Sequence, residues 1–344
     1  GGNDHCIGHA TSVTTPAQPL PTRPTPGINT PGDERTHRIR GRRSSAGTTV
    51  GRMSVIAVLD VGGTSIKSGA VRDGAAETGP SMPTHATADT ETVLDRLAEA
   101  ATAALDLSGP GTDGLAIAFP GPFDLAAGTA LIRGLHKFDS IHGVDLRAAL
   151  HERLPAVAAG LPVEFVHDNE AAGVGEAVHG AGRNADRVLT ITLGTGVGAC
   201  LTEAGSVTRR LDHLDVGPLH LATLDIDQLA RLETPWGRAD DVLSARGLAD
   251  RIGVPTLELR AAVDDPAHAD VVAEHGMRVG AFLASVVDAL SPDLVVIGGG
   301  LVDAYDRFGD EIERALAPLP CVPAELGATG PLLGAAHLAF PHLR

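Results

Sequence analysis

The sequence predicts two α/β lobes facing each other across a cleft, and three observations carry that expectation. A strand–Gly/Thr turn–strand hairpin occurs twice, once near the start of each half of the globular part. Short apolar runs of strand length alternate with segments of helical period, the pattern of sheets covered by helices. At 344 residues, chain length makes roughly two domains the expectation.

The elements follow in order. Residues 1–52 hold six prolines, many Ser, Thr and Gly, and no apolar period. Such a segment cannot bury enough surface to offset chain entropy, so it reads as a disordered extension. Its cluster Arg35–Arg43 reads either as a basic arm or as an upstream extension, with Met53 as the natural start. Order begins at Met53. Ser54–Asp60 is a strand, Val61–Ser65 a turn and Ile66–Val71 a returning strand. Asp89 or Thr90 caps a helix carrying Val93, Leu94, Leu97, Ala101, Ala104 and Leu105. Leu115–Phe119 is a buried strand ending at Pro120-Gly121-Pro122. Val163–Val166 is another, followed by His167-Asp168-Asn169 and an Ala-rich helix from Glu170. The pattern then restarts with the strand Val188–Leu193, the turn Gly194–Gly198 and the outgoing Ala199–Leu201. A long helix through Met277, Leu283, Val286, Val287 and Leu290 breaks at Ser291-Pro292 and feeds Leu294–Ile297 and Gly298-Gly299-Gly300. A small lobe of 53–167 plus about 331–344 and a large lobe of 168–330 follow.

Composition excludes several classes. Formal charge is −16 overall. Residues 1–52 carry seven Arg against three acids, so residues 53–344 hold 20 basic and 40 acidic side chains. A body this acidic repels nucleic acid and anionic membrane, so neither is expected as a partner. Cys6, Cys200 and Cys321 make neither a disulfide scaffold nor a zinc half-site. No apolar run approaches the span of a bilayer, and the N-terminus lacks the apolar stretch of a secretory signal. A cytoplasmic protein is the expectation.

Four motifs carry chemistry. In Asp60-Val-Gly-Gly-Thr-Ser-Ile-Lys67, Gly62 and Gly63 let backbone amides approach a ligand, and Thr64 adds a hydroxyl. Asp60, at the strand end, is placed to hold a hydrated Mg2+ near phosphates, and Lys67 to neutralise them. Lys67 and Lys137 are the only lysines beside 25 arginines. Leu193-Gly194-Thr195-Gly196-Val197-Gly198 is a second candidate cradle. It is not a dinucleotide fingerprint, because a strand follows where that fingerprint requires a helix. Gly298, Gly299 and Gly300 suit either a purine plane or close helix packing. Asp168 reads either as an ordinary helix N-cap or as a carboxylate at the cleft edge of a strand, where α/β folds keep their chemistry. Asn169 beside it can both donate to and accept from a hydroxyl-rich ligand.

Together these motifs resemble the ROK sugar-kinase family, the glucokinase-like members of the actin/hexokinase/Hsp70 superfamily. Phe119-Pro-Gly-Pro122 resembles its post-strand loop, and Gly330-Pro-Leu-Leu-Gly-Ala-Ala336 the start of its closing helix. The resemblance implies a two-lobed actin-like ATPase (ribonuclease H-like) fold with an interdomain cleft and a homodimer. It implies ATP and Mg2+ as cofactors, with Gly194, Thr195 and Gly196 at the phosphates and Gly298–Gly300 at the nucleotide. Asp168 becomes the general base, and Gly121, Asn169, His136, His220 and Asp240 contact the sugar. His213 competes with His220 for its place. The sequence departs from the family's pattern in having no cysteine between Cys200 and Cys321, so no zinc is expected. Asp240, ahead of Ser244-Ala-Arg-Gly247, stands where the family has a sugar-contacting Glu. Asp139, Asp240 and Asp241 near the sugar loops would tolerate an ammonium group.

The activity implied is ATP-dependent phosphorylation of the 6-hydroxyl of glucose or a related hexose or amino sugar, such as kanosamine. The alternatives are a polyphosphate-dependent glucokinase and a non-catalytic sugar-sensing regulator. Residues 1–52 have no helical period from which a DNA-binding helix-turn-helix could be built, which weighs against the regulator.

Overall fold

The computed structural model describes residues 54–134, 137–212 and 223–343. The expected extension 1–52 and its basic cluster therefore lie outside the described residues.

The first half builds a five-stranded sheet. Strands β1 (Val55–Val61), β2 (Ser65–Arg72) and β3 (Ala75–Pro83) run as an antiparallel meander. Helix α1 (Thr90–Ser108) leads to β4 (Gly114–Phe119), and helix α2 (Leu146–Arg153) precedes β5 (Val163–His167). The strand order is β3-β2-β1-β4-β5, with β1, β4 and β5 parallel. β4 is buried along its whole length, as its unbroken apolar run requires.

The second half repeats the plan. Strands β6 (Arg187–Leu193), β7 (Val197–Glu203) and β8 (Ser206–Thr208) form the meander. Later come helix α4 (Ala245–Ile252), helix α5 (Ala269–Leu290), β9 (Leu294–Gly298), helix α6 (Gly309–Leu316) and β10 (Cys321–Pro323). The order is β8-β7-β6-β9-β10, again with three parallel strands. The repeat seen as two hairpins in the sequence is thus a repeat of whole sheets, and the two-lobed α/β fold is borne out.

Local chemistry sets the element ends. Of the two caps expected for α1, Asp89 and Thr90, the structure uses Asp89, which accepts from Thr92 N at 2.9 Å. Helix α3 (Asp168–His179) begins two residues before the expected Glu170. Its N-cap position is held by His167 without a side-chain cap, so Asp168 is not the N-cap. β3 is the main element the sequence hid. Its residues Ala-Ala-Glu-Thr-Gly-Pro-Ser-Met-Pro carry no apolar run, because it is an edge strand with a largely exposed surface. Met277, expected within the long helix, lies on its solvent face, half exposed.

The two sheets meet through α3 and the closing helix α7 (Thr329–Ala339). α3 packs on β6 and β7, while α7 packs on β1, β2 and β4. Between them the helices touch backbone to backbone. A methyl group on Gly175 would collide with the Gly330 carbonyl, and one on Gly334 with the Ala171 carbonyl. Buried Glu176 adds an acceptor for the amides of Ala181 (3.0 Å), Glu325 (3.1 Å) and Leu326 (2.9 Å).

Overpacking a tight crossing costs about 1–3 kcal/mol. Gly334→Ala is therefore expected to lower unfolding free energy by about 2 kcal/mol in urea titration. Gly300→Ala, which meets nothing within 4 Å, is expected to change it by less than about 0.5 kcal/mol.

Candidate active site

Asp168 sits at the first position of α3, where β5 ends, and two chambers meet on it. A chamber of about 790 Å3 is lined by both glycine turns, with Gly62, Gly63 and Thr64 on one side and Gly194, Thr195 and Gly196 on the other. A second, of about 440 Å3, is lined by Glu170, Cys200, Arg209, Asp225, Asp227 and Gln228. Gly121, Asp168 and Asn169 line both.

The first glycine turn is laced to two neighbouring loops. Thr84 Oγ1 donates to the Gly62 carbonyl at 2.7 Å, and Thr84 N to the Thr64 carbonyl at 3.1 Å. Phe138 N donates to the Ala86 carbonyl at 2.6 Å, which brings Lys137 over Gly63, its Cδ 3.3 Å from where a Cβ would stand. Lys67 Nζ lies 2.9 Å from Asp60 Oδ2. Neither residue lines the chamber directly, but Asp60 acts on Asp168 through its charge.

Asp168 is half-buried, and burial pushes its carboxyl up from the ordinary aspartate range. The Asn169 amide, which donates to Oδ1 at 2.8 Å, opposes that shift. Asp60 adds to it, whereas Lys137 and His167 oppose it. An acid raised in this way, at the meeting of two chambers and near Lys137, suits proton transfer.

Asn169 is turned toward the second glycine turn, its Oδ1 accepting from Thr192 Oγ1 at 3.2 Å. A Cβ on Gly198 would collide with that side chain, which explains the glycine. Asp240 stands in the glycine-lined chamber rather than with the other polar residues of the smaller one. Its Oδ1 accepts from Val197 N at 2.7 Å. Gly298, Gly299 and Gly300 line neither chamber. Gly299 takes φ 87°, and a Cβ there would stand 2.6 Å from the Leu193 backbone, so this glycine serves close packing beside the second turn. His136, His213 and His220 lie outside the described residues.

The smaller chamber holds residues that the sequence reading did not single out. Glu170 is buried and receives both nitrogens of an Arg209 fork, at 2.5 and 2.7 Å. Asp225 Oδ2 accepts from Gln228 Nε2 at 3.1 Å. The acids expected near the sugar, Asp139 and Asp241, line neither chamber. Asp139 accepts from Gly134 N, and Asp241 pairs with Arg246. Burial pushes the Cys200 thiol up to about 12, so it stays protonated and is no nucleophile. Among the described residues no group of three or more His, Cys, Asp or Glu is gathered as for a metal ion, and no helix is long and apolar enough to cross a membrane. Asp60, two residues before Gly62 in the first glycine turn, has hard oxygen donors of the kind that suit a partly hydrated Mg2+, with Oδ2 already paired to Lys67.

A model of the ROK family matches residues 56–209. The chain is 31% identical over 183 residues to a glucokinase of Halalkalibacterium halodurans, a match covering 45% of this chain and 53% of that enzyme, about half its length. It is 26% identical over 283 residues to the polyphosphate glucokinase of Mycobacterium tuberculosis, covering 81% of this chain and 88% of that one. The crystal structure of a ROK hexokinase from Thermus thermophilus superposes with a TM-score of 0.60 at 26% identity, over 84% of this chain and 99% of that one.

The charges around Asp168 give a direct test. A carboxyl-resolved NMR titration should find its midpoint above that of free aspartate. Lys137→Met should raise the midpoint further, and Asp60→Asn should lower it. A midpoint insensitive to both changes would contradict this electrostatic picture.

Proposed function

We propose that the chain, which a ROK family model matches over residues 56–209 and which superposes on a ROK hexokinase, is a kinase transferring the terminal phosphoryl group of ATP to the 6-hydroxyl of glucose or a related hexose or amino sugar. One observation carries the reading. Among the described residues, Asp168 is shared, with Gly121 and Asn169, by a glycine-lined chamber and a chamber lined by carboxylates, guanidiniums and an amide.

The sugar occupies the smaller chamber. Asp225, Asp227, Gln228 and the Glu170–Arg209 pair offer the mixed donors and acceptors that hydroxyl groups need. The same acids tolerate an ammonium group, and they replace Asp139 and Asp241 as the reason an amino sugar fits. Asp168 accepts the proton of the attacking hydroxyl, and its raised affinity for a proton favours that step at neutral pH. The donor's phosphates lie against the amides of the two glycine turns, with Lys137 and Arg246 on the chamber wall. Asp60 would hold Mg2+ through water, and the ion would neutralise phosphate charge. Transfer of this kind is mostly positioning and charge neutralisation, so these groups suffice.

Polyphosphate is the second reading for the donor. The Mycobacterium polyphosphate glucokinase matches along most of both chains. A further cavity of about 370 Å3 continues past Lys137 to Thr87 and Ser140, with room for a longer anion.

Coupled ADP release should be measured with Mg-ATP against glucose, mannose, fructose, N-acetylglucosamine, N-acetylmannosamine, glucosamine and kanosamine. Turnover is expected on at least one sugar, and Asp168→Asn should lower it by at least about a hundredfold. The same change should stabilise the fold at pH 7. A carboxyl raised in the folded state favours folding while protonated, and that contribution is lost as pH rises through its folded-state value. Full turnover in Asp168→Asn would overturn the assignment of the base.

A further inference from the structure

Asp240 matches a sugar-contacting position in the resemblance, yet its carboxylate sits on the other side of the site. Oδ1 accepts from the Val197 amide at 2.7 Å. The same oxygen lies 2.6 Å from where a Cβ on Gly196 would stand, so the carboxylate nests on the second glycine turn. A carboxylate on such an amide occupies the place a phosphate oxygen takes in an anion-binding turn. Its other oxygen is 3.7 Å from Arg246, which also reaches Asp241 at 3.2 Å. Both Asp240 and Arg246 line the glycine chamber.

We propose that Asp240 competes with the donor's phosphate for the second glycine turn and thereby sets donor affinity; this rests on the reading of that chamber as the phosphate-donor site. With the chamber empty, the carboxylate holds the Val197 amide and Arg246 divides its charge between two acids. An arriving phosphate takes the amide and displaces Asp240. Arg246 then loses one of its two carboxylates and faces the incoming anion. Asp240 is a specificity-determining residue in this account, acting on the donor and not on the sugar.

The variant Asp240→Asn keeps the side chain's size and the oxygen that accepts from Val197, and removes only the charge. Binding of Mg-ATP and of inorganic tripolyphosphate to the full chain is measured by calorimetry without sugar, with KM values for donor and sugar alongside. Asp240→Asn is expected to tighten binding of both anions about tenfold and to leave the sugar KM unchanged. Arg246→Gln should weaken binding in the parent protein and weaken it at least as much in the Asp240→Asn background, where one carboxylate fewer draws on the guanidinium. Asp240→Ser, which also keeps an acceptor oxygen, serves the same measurement if the Asn variant does not fold.

Equal affinity in parent and variant would make Asp240 a scaffold alone and overturn the proposal. Weaker binding in the variant would overturn it too, by making Asp240 a holder of the donor. A change confined to the sugar KM would return Asp240 to the acceptor side. Failure of the parent and of every variant to bind either anion would remove the kinase reading together with this one.

Discussion

Everything in the site hangs on the backbone-to-backbone crossing of α3 and α7. Gly175 and Gly334 have no room for a methyl group, and the helices they bring together belong to different sheets. α3 also carries Asp168 at its first residue, directly after the last strand of the first sheet. The crossing therefore fixes where the carboxylate stands relative to a glycine turn from each lobe. Interiors packed this closely transmit small displacements instead of absorbing them. Glu176, with three backbone amides on its carboxylate, secures the same joint from the far end of α3.

Charge makes the second constraint. The body carries 40 acidic side chains against 20 basic ones, yet the chamber proposed for the donor must receive an anion. Local cations resolve this. Lys137 lies over Gly63, Arg246 stands near Asp240 and Asp241, and Lys67 backs Asp60. Two of these three are held by carboxylates, so the anionic ligand meets a field that is close to balanced and not a broad basic surface. Within it, burial leaves Asp168 with a raised affinity for a proton, while the Asn169 amide and Lys137 restrain the shift.

Much of this was legible in the sequence because it is local. A strand running into Gly-Gly or Gly-Thr-Gly and back out announces its hairpin, and both hairpins stand where the residues indicated. Asp89 capped its helix as its type and position implied. What escaped is what depends on distant residues. The edge strand Ala75–Pro83 exists because β2 lies beside it, and nothing in its own composition demands a strand. Glu170 read as a helix start and is instead the partner of Arg209, 39 residues on. Asp240 matched a family position by its spacing from Ser244, but only the fold brings it to Val197. The rarity of lysine drew notice to Lys67 and Lys137 alike, and the sequence assigned the phosphates to Lys67; it is Lys137 that lines the glycine chamber, whereas Lys67 is paired with Asp60.

Phosphorus NMR of the full chain with Mg-ATP and an accepted sugar would test the central claim most directly, because it identifies the atom that receives the phosphoryl group. The account predicts a phosphomonoester signal coupled to the two exocyclic methylene protons, growing in step with ADP and absent in Asp168→Asn. Inorganic phosphate as the sole product, or a phosphoryl group on a ring hydroxyl, would contradict it.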